Sequence, residues 1–557
     1  MSGAIAPVQR GAISAGARAV GTFAHAQRFV VAASGWWRVA IAFGAGALSA
    51  LAMAPFFVTP VLFITLPVLV WLIDASDGNT PGVRFLRAAG AGWWFGFGYF
   101  LLGLFWVGEA FLVEADRFAW LMPFAVVLLP AGLALFTGAA TGIARLVWPG
   151  GFARVLVLAL AIAMAEWLRG HVLTGFPWNV LGYALTWPLE FMQSASLVGI
   201  YGLTLLAVAI FAGPAVVIAD GKAKAPTRAV GAGLALAVLP LLALYAYGAW
   251  RMPAEASPML EGVKVRIVQA SVPQRDKWRP DKQREIFEDQ LALSRRDASG
   301  KPDDLAGITH LIWPEAAMPF LPLEHPEALD AIGKLLPDGT QLLSGALRVK
   351  HAESPVGMQQ AFNSLMVFGP NGALEHLYDK IHLVPFGEYL PMQALLESIG
   401  LEQLTRWRGG FSTGVEPRPL LGIPGLPPVA GLICYEAIFP ASIVQGAQRP
   451  GLIVNVTNDG WFGDTTGPWQ HFHQTRVRAV EEGLPIIRAA NNGVSAVVDP
   501  YGRVTAMLML NARGVVDSGI PASIQAPVYA KFGDCTSAAL ALIFLGASVL
   551  FARRRRD

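Results

Sequence analysis

The chain has 557 residues, 54% hydrophobic and 15% charged, a balance too apolar for a soluble protein of this length. Its net charge of +3 comes from basic residues flanking apolar stretches, so it points to no acidic partner and no nucleic acid is expected. Its two cysteines, Cys434 and Cys535, sit in unlike settings and do not make a disulfide framework.

Residues 1–38 carry Arg10, Arg18, Arg28 and Arg38 without the compact order of a cleaved signal peptide. They read as a retained, partly disordered cytoplasmic arm. Apolar stretches follow at Val39–Phe57, Val58–Ile73, Ala88–Val107, Phe118–Ala144, Val155–Leu168, Leu197–Ala219 and Ala229–Trp250, with a last one at Thr536–Ala552. A span takes about 20 apolar residues, so about eight helices are expected, about seven in a membrane domain at 39–251 and one at 535–557. The residues Trp93, Trp94, Phe95, Phe97, Tyr99 and Phe100 suit interfacial packing before an acyl groove. Glu166 and Arg169 suit an interfacial ion pair.

Lys and Arg near helix ends are retained on the cytoplasmic side. The arm, Arg84 and Arg87, Arg145 and Arg154, Lys222, Lys224 and Arg228, and the terminal Arg553–Arg556 alternate in a way that places both termini inside. The polar segment Met252–Asp534 then lies outside the cytoplasm.

From Gly262 the pattern changes to short β-branched runs separated by amphipathic helices, an α/β domain over 262–520. Strands are expected at Val263–Gln269, Ile308–Trp313, Gln341–Ala346, Asn363–Phe368, Val429–Ile433, Leu452–Val456, Ile486–Ala490 and Ser495–Asp499. Helices are expected at Lys282–Asp297, Pro326–Leu336, Pro440–Gln448 and Trp469–Glu482. Glu315 and Cys434 each follow a strand, where chemistry collects in α/β folds. A thiol is mostly protonated at neutral pH, so it needs a base, for which Glu315 serves, and a cation such as Lys380. His471 and His473, two apart on a helix, face different ways and suggest no metal site. Cys535, at a helix entrance, reads as inert.

The local words say more than the spacing. Trp-Pro-Glu-Ala around Glu315, Lys-Ile-His-Leu-Val-Pro-Phe-Gly-Glu-Tyr-Leu-Pro from Lys380, Ile-Cys-Tyr-Glu around Cys434 and Thr-Asn-Asp-Gly-Trp-Phe-Gly after it resemble the motifs of the nitrilase superfamily. Together with Gly467–His471, Arg488–Gly493 and Glu166–Trp178, they look like its membrane-embedded branch, the apolipoprotein N-acyltransferase family.

The resemblance implies a multi-pass helical membrane domain with a nitrilase-like αββα sandwich on the periplasmic side of a bacterial inner membrane. It implies transfer of an acyl chain from a phospholipid through a Cys434 thioester to the α-amine of a diacylglyceryl apolipoprotein, with no cofactor and no metal. Glu315 matches the general base, Lys380 the oxyanion-stabilising cation and Cys434 the nucleophile. Glu388 matches a glutamate orienting Lys380, Tyr435 and Glu436 match positions needed near the nucleophile, and Trp278 matches a tryptophan at the acyl-binding mouth. The rival reading is a membrane-tethered amide hydrolase that gives its thioester to water; a transporter is disfavoured because the expected spans are nearly free of ionisable residues.

Overall fold

A computed structural model describes residues 21–216, 227–351, 359–398 and 410–553. Arg10, Arg18, Lys222, Lys224 and Arg554–Arg556, on which part of the expected orientation rests, lie outside the described residues. The N-terminal half is helical: α1 (Gly35–Ser49), α2 (Leu62–Asp74), α3 (Pro81–Gly103), α4 (Met122–Leu146), α5 (Ala153–His171), α6 (Ala195–Ala212) and α7 (Thr227–Arg251). The Thr80 side chain caps α3 by accepting from the Val83 N–H, and Pro81 occupies the first turn, where a missing N–H is harmless. Gly46 and Gly98 bring α1 and α3 so close that a Cβ on either would strike the other helix's backbone, the small-residue contact by which helices pack where water supplies no drive.

Helix therefore occupies every apolar stretch, yet fewer are long and apolar enough to cross a membrane. Among the described residues four pass, Gly35–Ala52, Ala115–Leu146, Ala195–Val216 and Cys535–Arg553, and a fifth does if Pro81–Gly103 and Phe105–Leu112, bent by 47°, count as one. Helix α2 is short and contains Pro67, and α5 carries Arg154, Glu166 and Arg169. In the aromatic group on α3, Trp93 stacks on Phe97 and donates to the Ala131 carbonyl, while Phe95, Tyr99 and Phe100 are buried and line a cavity with Glu166 and Arg169.

The second half contains β1 (Val265–Gln269), α8 (Gln283–Ser294), β2 (His310–Trp313), α9 (Pro326–Leu335), β3 (Gln341–Lys350), β4 (Gln360–Phe368) and β5 (Leu374–Asp379). Next come β6 (Leu420–Leu421), β7 (Val429–Ile433), β8 (Leu452–Thr457), α10 (Gly467–Glu482), β9 (Ile486–Ala490), β10 (Ser495–Val498), β11 (Val504–Leu508) and β12 (Gly514–Ser518), before the final α11 (Cys535–Arg553). The strands form two six-stranded sheets, ordered β12-β1-β2-β3-β4-β5 and β11-β10-β9-β8-β7-β6. Each has a parallel centre, β1-β2-β3 or β7-β8-β9, and antiparallel flanks.

Val265, Ile267, Ile312 and Leu343 of one sheet meet Val429, Ile433, Val454 and Val456 of the other in the inner core. Phe287 of α8 and Ile332 of α9 cover the outer face of the first sheet, and Phe472 and Ala479 of α10 cover that of the second. These are the layers of an αββα sandwich. Strands buried on both faces explain the near-continuous apolar runs in the sequence.

Pro440–Gln448 is not a helix. Ala441 sits at φ 55°, Pro440, Gly446 and Pro450 punctuate the segment, and Gln445 accepts the Arg418 N–H at 2.7 Å instead of joining a helical ladder.

Helix α10 is one place where the halves meet. Gln470 accepts from the indoles of Trp106 (3.1 Å) and Trp178 (2.8 Å), and His473 bonds the Thr186 hydroxyl at 2.6 Å. Gly199, at φ 60°, breaks α6 near its start. The Ile200 N–H at this break is accepted by Glu481 of α10 at 2.9 Å, and the Tyr529 ring occupies the space where a Gly199 side chain would stand.

Candidate active site

Strand β2, parallel to β1 and β3 in one sheet, and strand β7, parallel to β8 in the other, are followed by Glu315 and Cys434, which lie close enough to interact electrostatically. Cys434 opens a 3-10 turn, Cys434–Ile438, at φ 50°, a left-handed conformation that is strained for a residue with a Cβ and is found where the surroundings over-determine it. Lys380 follows β5, held by its N–H to the Asn363 carbonyl at 2.8 Å. All three side chains are buried.

One residue that sequence reasoning did not assign ties them together. Asn363, on β4, donates from Nδ2 to Glu315 Oε1 at 2.7 Å and to Glu388 Oε1 at 3.0 Å. Lys380 Nζ donates to Glu388 at 2.9 Å, and Glu388 Oε2 accepts the Val384 N–H at 2.8 Å. Glu388 thus holds the Lys380 ammonium. The other carboxylate oxygen of Glu315, Oε2, is buried without a hydrogen bond.

The electrostatics follow from this crowding. Burial pushes the Glu315 carboxyl above its ordinary range against the pull of Lys380. Burial alone would lower Lys380, but the carboxylates of Glu388 and Glu315 outweigh it and raise it, so the ammonium stays charged. The Cys434 thiol is driven up by burial and by the Glu315 charge, and Lys380 only partly offsets them. A resting thiol beside a carboxylate of raised basicity suits proton transfer during attack, not a preformed thiolate.

Glu436 and Tyr435 point elsewhere. Glu436 is fully buried and accepts from Tyr378 Oη (2.7 Å), the N–H groups of Ile381 (3.1 Å), His382 (3.2 Å) and Ile433 (2.8 Å), and the Arg418 guanidinium. Burial would raise its carboxyl, but Arg418 and these donors hold it down and charged. It braces the Lys380 loop against the turn that carries Cys434. Tyr435 sends its hydroxyl to the Gly175 carbonyl at 3.0 Å and its ring towards Phe176 and Phe439, which fastens the site to the helical half. There Glu166 accepts the Leu181 N–H at 2.9 Å, and Arg169, 4.0 Å from it, donates to the carbonyls of Phe176 and Trp178. This pair holds the loop that Tyr435 touches.

A second polar group lies beneath Cys434. His471 bonds Asp459 through Nδ1 at 2.9 Å and the Cys434 carbonyl oxygen through Nε2 at 3.1 Å. Burial alone would raise Asp459, but Arg488 and His471 bring its carboxyl down to about 2. Thr457 donates to Asp459 at 3.0 Å and lies against the thiol. His473, bonded to Thr186, faces away from His471's partners, and among the described residues no group of three His, Cys, Asp or Glu could hold a metal ion. Trp278 is half-buried directly after Lys277, and Cys535 is exposed at the start of α11.

Asn363, Asp459, His471 and Arg488 all stood in segments picked out from the sequence, but nothing in those segments said which polar residues would turn inward. The available signal was a polar residue opening an apolar strand, as Asn363 does.

Residues 45–213 match the family model described as the apolipoprotein N-acyltransferase N-terminal domain, and residues 287–526 the one described as carbon-nitrogen hydrolase. Proteins named apolipoprotein N-acyltransferase are similar over nearly the whole chain. That of Rhodopseudomonas palustris is 49% identical over 93% of this chain and 95% of its own length. That of Bradyrhizobium diazoefficiens is 48% identical over 94% and 96%, and that of Brucella suis biovar 1 is 43% identical over 94% and 98%.

Proposed function

The chain belongs to the apolipoprotein N-acyltransferase family, and from that premise we propose how its residues divide the reaction. It is a membrane protein that N-acylates lipoproteins by way of a thioester. The acyl donor is a phospholipid and the acceptor the α-amine of a diacylglyceryl-cysteine. Cys434 Sγ attacks the donor's ester carbonyl while its proton passes to Glu315. Lys380, with the Tyr435 N–H at the head of the 3-10 turn, stabilises the oxyanion. Collapse breaks the ester C–O bond, and the leaving alkoxide takes the proton from Glu315 to give lysophospholipid. In the second half the amine attacks the thioester, Glu315 accepts the amine proton and returns it to the departing sulfur, and an amide results.

The observation that carries this reading is the buried chain Lys380–Glu388–Asn363–Glu315 beside the Cys434 thiol. The finer arrangement is a cytoplasmic arm at 1–38, a membrane domain at 39–251, a catalytic domain at 262–520 and a last helix with a basic cytoplasmic tail at 535–557, with about eight spans in all. The catalytic domain faces the periplasm across a bacterial inner membrane. The basic residues at alternate helix ends support that orientation.

The test is intact-mass analysis of protein incubated with phospholipid, then with diacylated lipopeptide. An acyl adduct on Cys434 that persists until a free-amine lipopeptide discharges it to N-acyl product is expected, and an N-acetylated lipopeptide should leave it intact. Rapid release of free fatty acid whatever the lipopeptide would identify a hydrolase. Protection of a cysteine introduced near residue 300 from an impermeant reagent in spheroplasts would refute the orientation.

A further inference from the structure

Lys277 is a buried cation that the steps above do not use. It ends the short turn Gln274–Lys277, is 1% exposed, and donates from Nζ to the main-chain carbonyl oxygen of Glu315 at 3.0 Å. The segment carrying it is fixed to the strand ends of the second sheet. Asn491 accepts the Val272 N–H at 3.1 Å and donates to the Val272 carbonyl at 2.8 Å, and Asn458 donates to Gln274 at 2.7 Å.

A buried ammonium is costly unless opposed by negative charge. Lys380 is paired directly with Glu388, whereas Lys277 bonds a neutral carbonyl. The charged or titratable groups that face it are the Glu315 carboxyl, on the turn after β2, and the Cys434 thiol, after β7. On its own turn, Asp276 pairs with Arg279 and Lys282. The same side chain therefore holds the peptide of the base and directs its charge at the base and the nucleophile.

We propose that Lys277 is a positioning residue of the acyl transfer, a second cation that fixes the Glu315 turn and favours negative charge on Cys434. The inference rests on the assignment of Glu315 as base and Cys434 as nucleophile. During acylation the negative charge moves from Glu315 to the sulfur and the substrate oxygen, and in deacylation it returns through the departing thiolate. Lys277 is poised to act at both stages, and its grip on the Glu315 carbonyl holds the turn while the carboxyl is protonated.

Burial brings the Lys277 ammonium down to about 8, so the side chain is charged below that pH and loses its charge as pH rises through it. The experiment follows the rate of acyl-adduct formation on Cys434 by intact mass across pH for the full-length protein and for Lys277→Met and Lys277→Arg, with the melting temperature of each. The wild-type rate should fall as pH rises through about 8. Lys277→Met should be about tenfold slower at neutral pH, the change that accompanies one pK unit at the thiol, and should lack that alkaline fall. Lys277→Arg, whose guanidinium stays charged, should recover activity and move the fall to higher pH. Equal loss in both variants with the wild-type pH profile unmoved would show a purely structural role, and wild-type rates in Lys277→Met would overturn the proposal outright. If Lys277→Met does not fold, the position of the alkaline fall in Lys277→Arg decides. Absence of any adduct on Cys434 in the wild type would overturn the nucleophile assignment instead, which keeps the two failures distinct.

Discussion

Replacing Asn363 by Leu tests the idea that a neighbour keeps Glu315 ionised against the effect of its burial. The substitution keeps the approximate volume but removes the amide that donates to Glu315 Oε1 at 2.7 Å and to Glu388 Oε1 at 3.0 Å. Glu315 Oε2 already has no hydrogen bond, so both oxygens of the base would then be bare. Hydrogen bonds to charged groups contribute about 1.5–3 kcal/mol, which corresponds to about 1–2 pK units. Asn363 lowers the Glu315 carboxyl, so its loss raises it further. The active form is the carboxylate, present above that pKa. The acid limb of the acylation rate should therefore move to higher pH by about 1–2 units, with about a 10- to 100-fold loss on the limb itself and recovery above the shifted limb, up to the fall that Lys277 sets at about 8. Single-turnover acylation by phospholipid, read as adduct mass against pH, measures this directly. An equal loss at every pH, with the limb unmoved, would show that Asn363 serves packing only and would refute the reasoning.

Other outcomes follow from the same geometry. Cys434→Ala should form no acyl adduct by intact mass, Glu315→Gln should acylate slowly, and Lys380→Ala should lose on the order of 10²–10³ in acylation rate, as when a preorganised oxyanion donor is removed. Arg418→Ala removes the guanidinium paired with the fully buried Glu436 carboxylate and leaves it the Tyr378 hydroxyl and backbone N–H donors; it should cost up to about 3–5 kcal/mol, seen as a lowered melting temperature in detergent. Gly199→Ala places a Cβ against the Tyr529 ring at φ 60°; it should destabilise by more than the roughly 1 kcal/mol ordinary for such a change and raise protease sensitivity at the junction between the halves.

The parallel strands at the sheet centres were readable because they are buried on both sides: Val429–Ile433 and Ile486–Ala490 fall where the apolar runs put them. The missed strands lie at or near sheet edges. Leu374–Asp379 and Val504–Leu508 are half-exposed and mixed in composition, and Gly514–Ser518 pairs with β1, some 250 residues away in sequence, through a register no local pattern encodes. Pro440–Gln448 misled because its apolar spacing resembles a helix while its backbone is set by Ala441 and by Gln445's bond to Arg418. Glu315, Lys380 and Cys434 could be located because short words surround them. The reason Glu315 and Lys380 are tied together, Asn363, depends on strand pairing and was therefore out of reach.

Helix α10 presents Gln470, His473 and Glu481 to the membrane half and His471 to the carbonyl of Cys434. The contacts with the helical half and the hold on Cys434 thus share one rigid rod. With the helical half seated in a bilayer as proposed, the sulfur would be held at one height above the lipid by the rod's own anchorage, as on a depth gauge. The ester carbonyls of phospholipids and the amine of a lipid-bearing cysteine both sit at the level of the headgroups. In the proposed reaction, a thiol held at one depth would select among carbonyls and amines by where their anchors hold them.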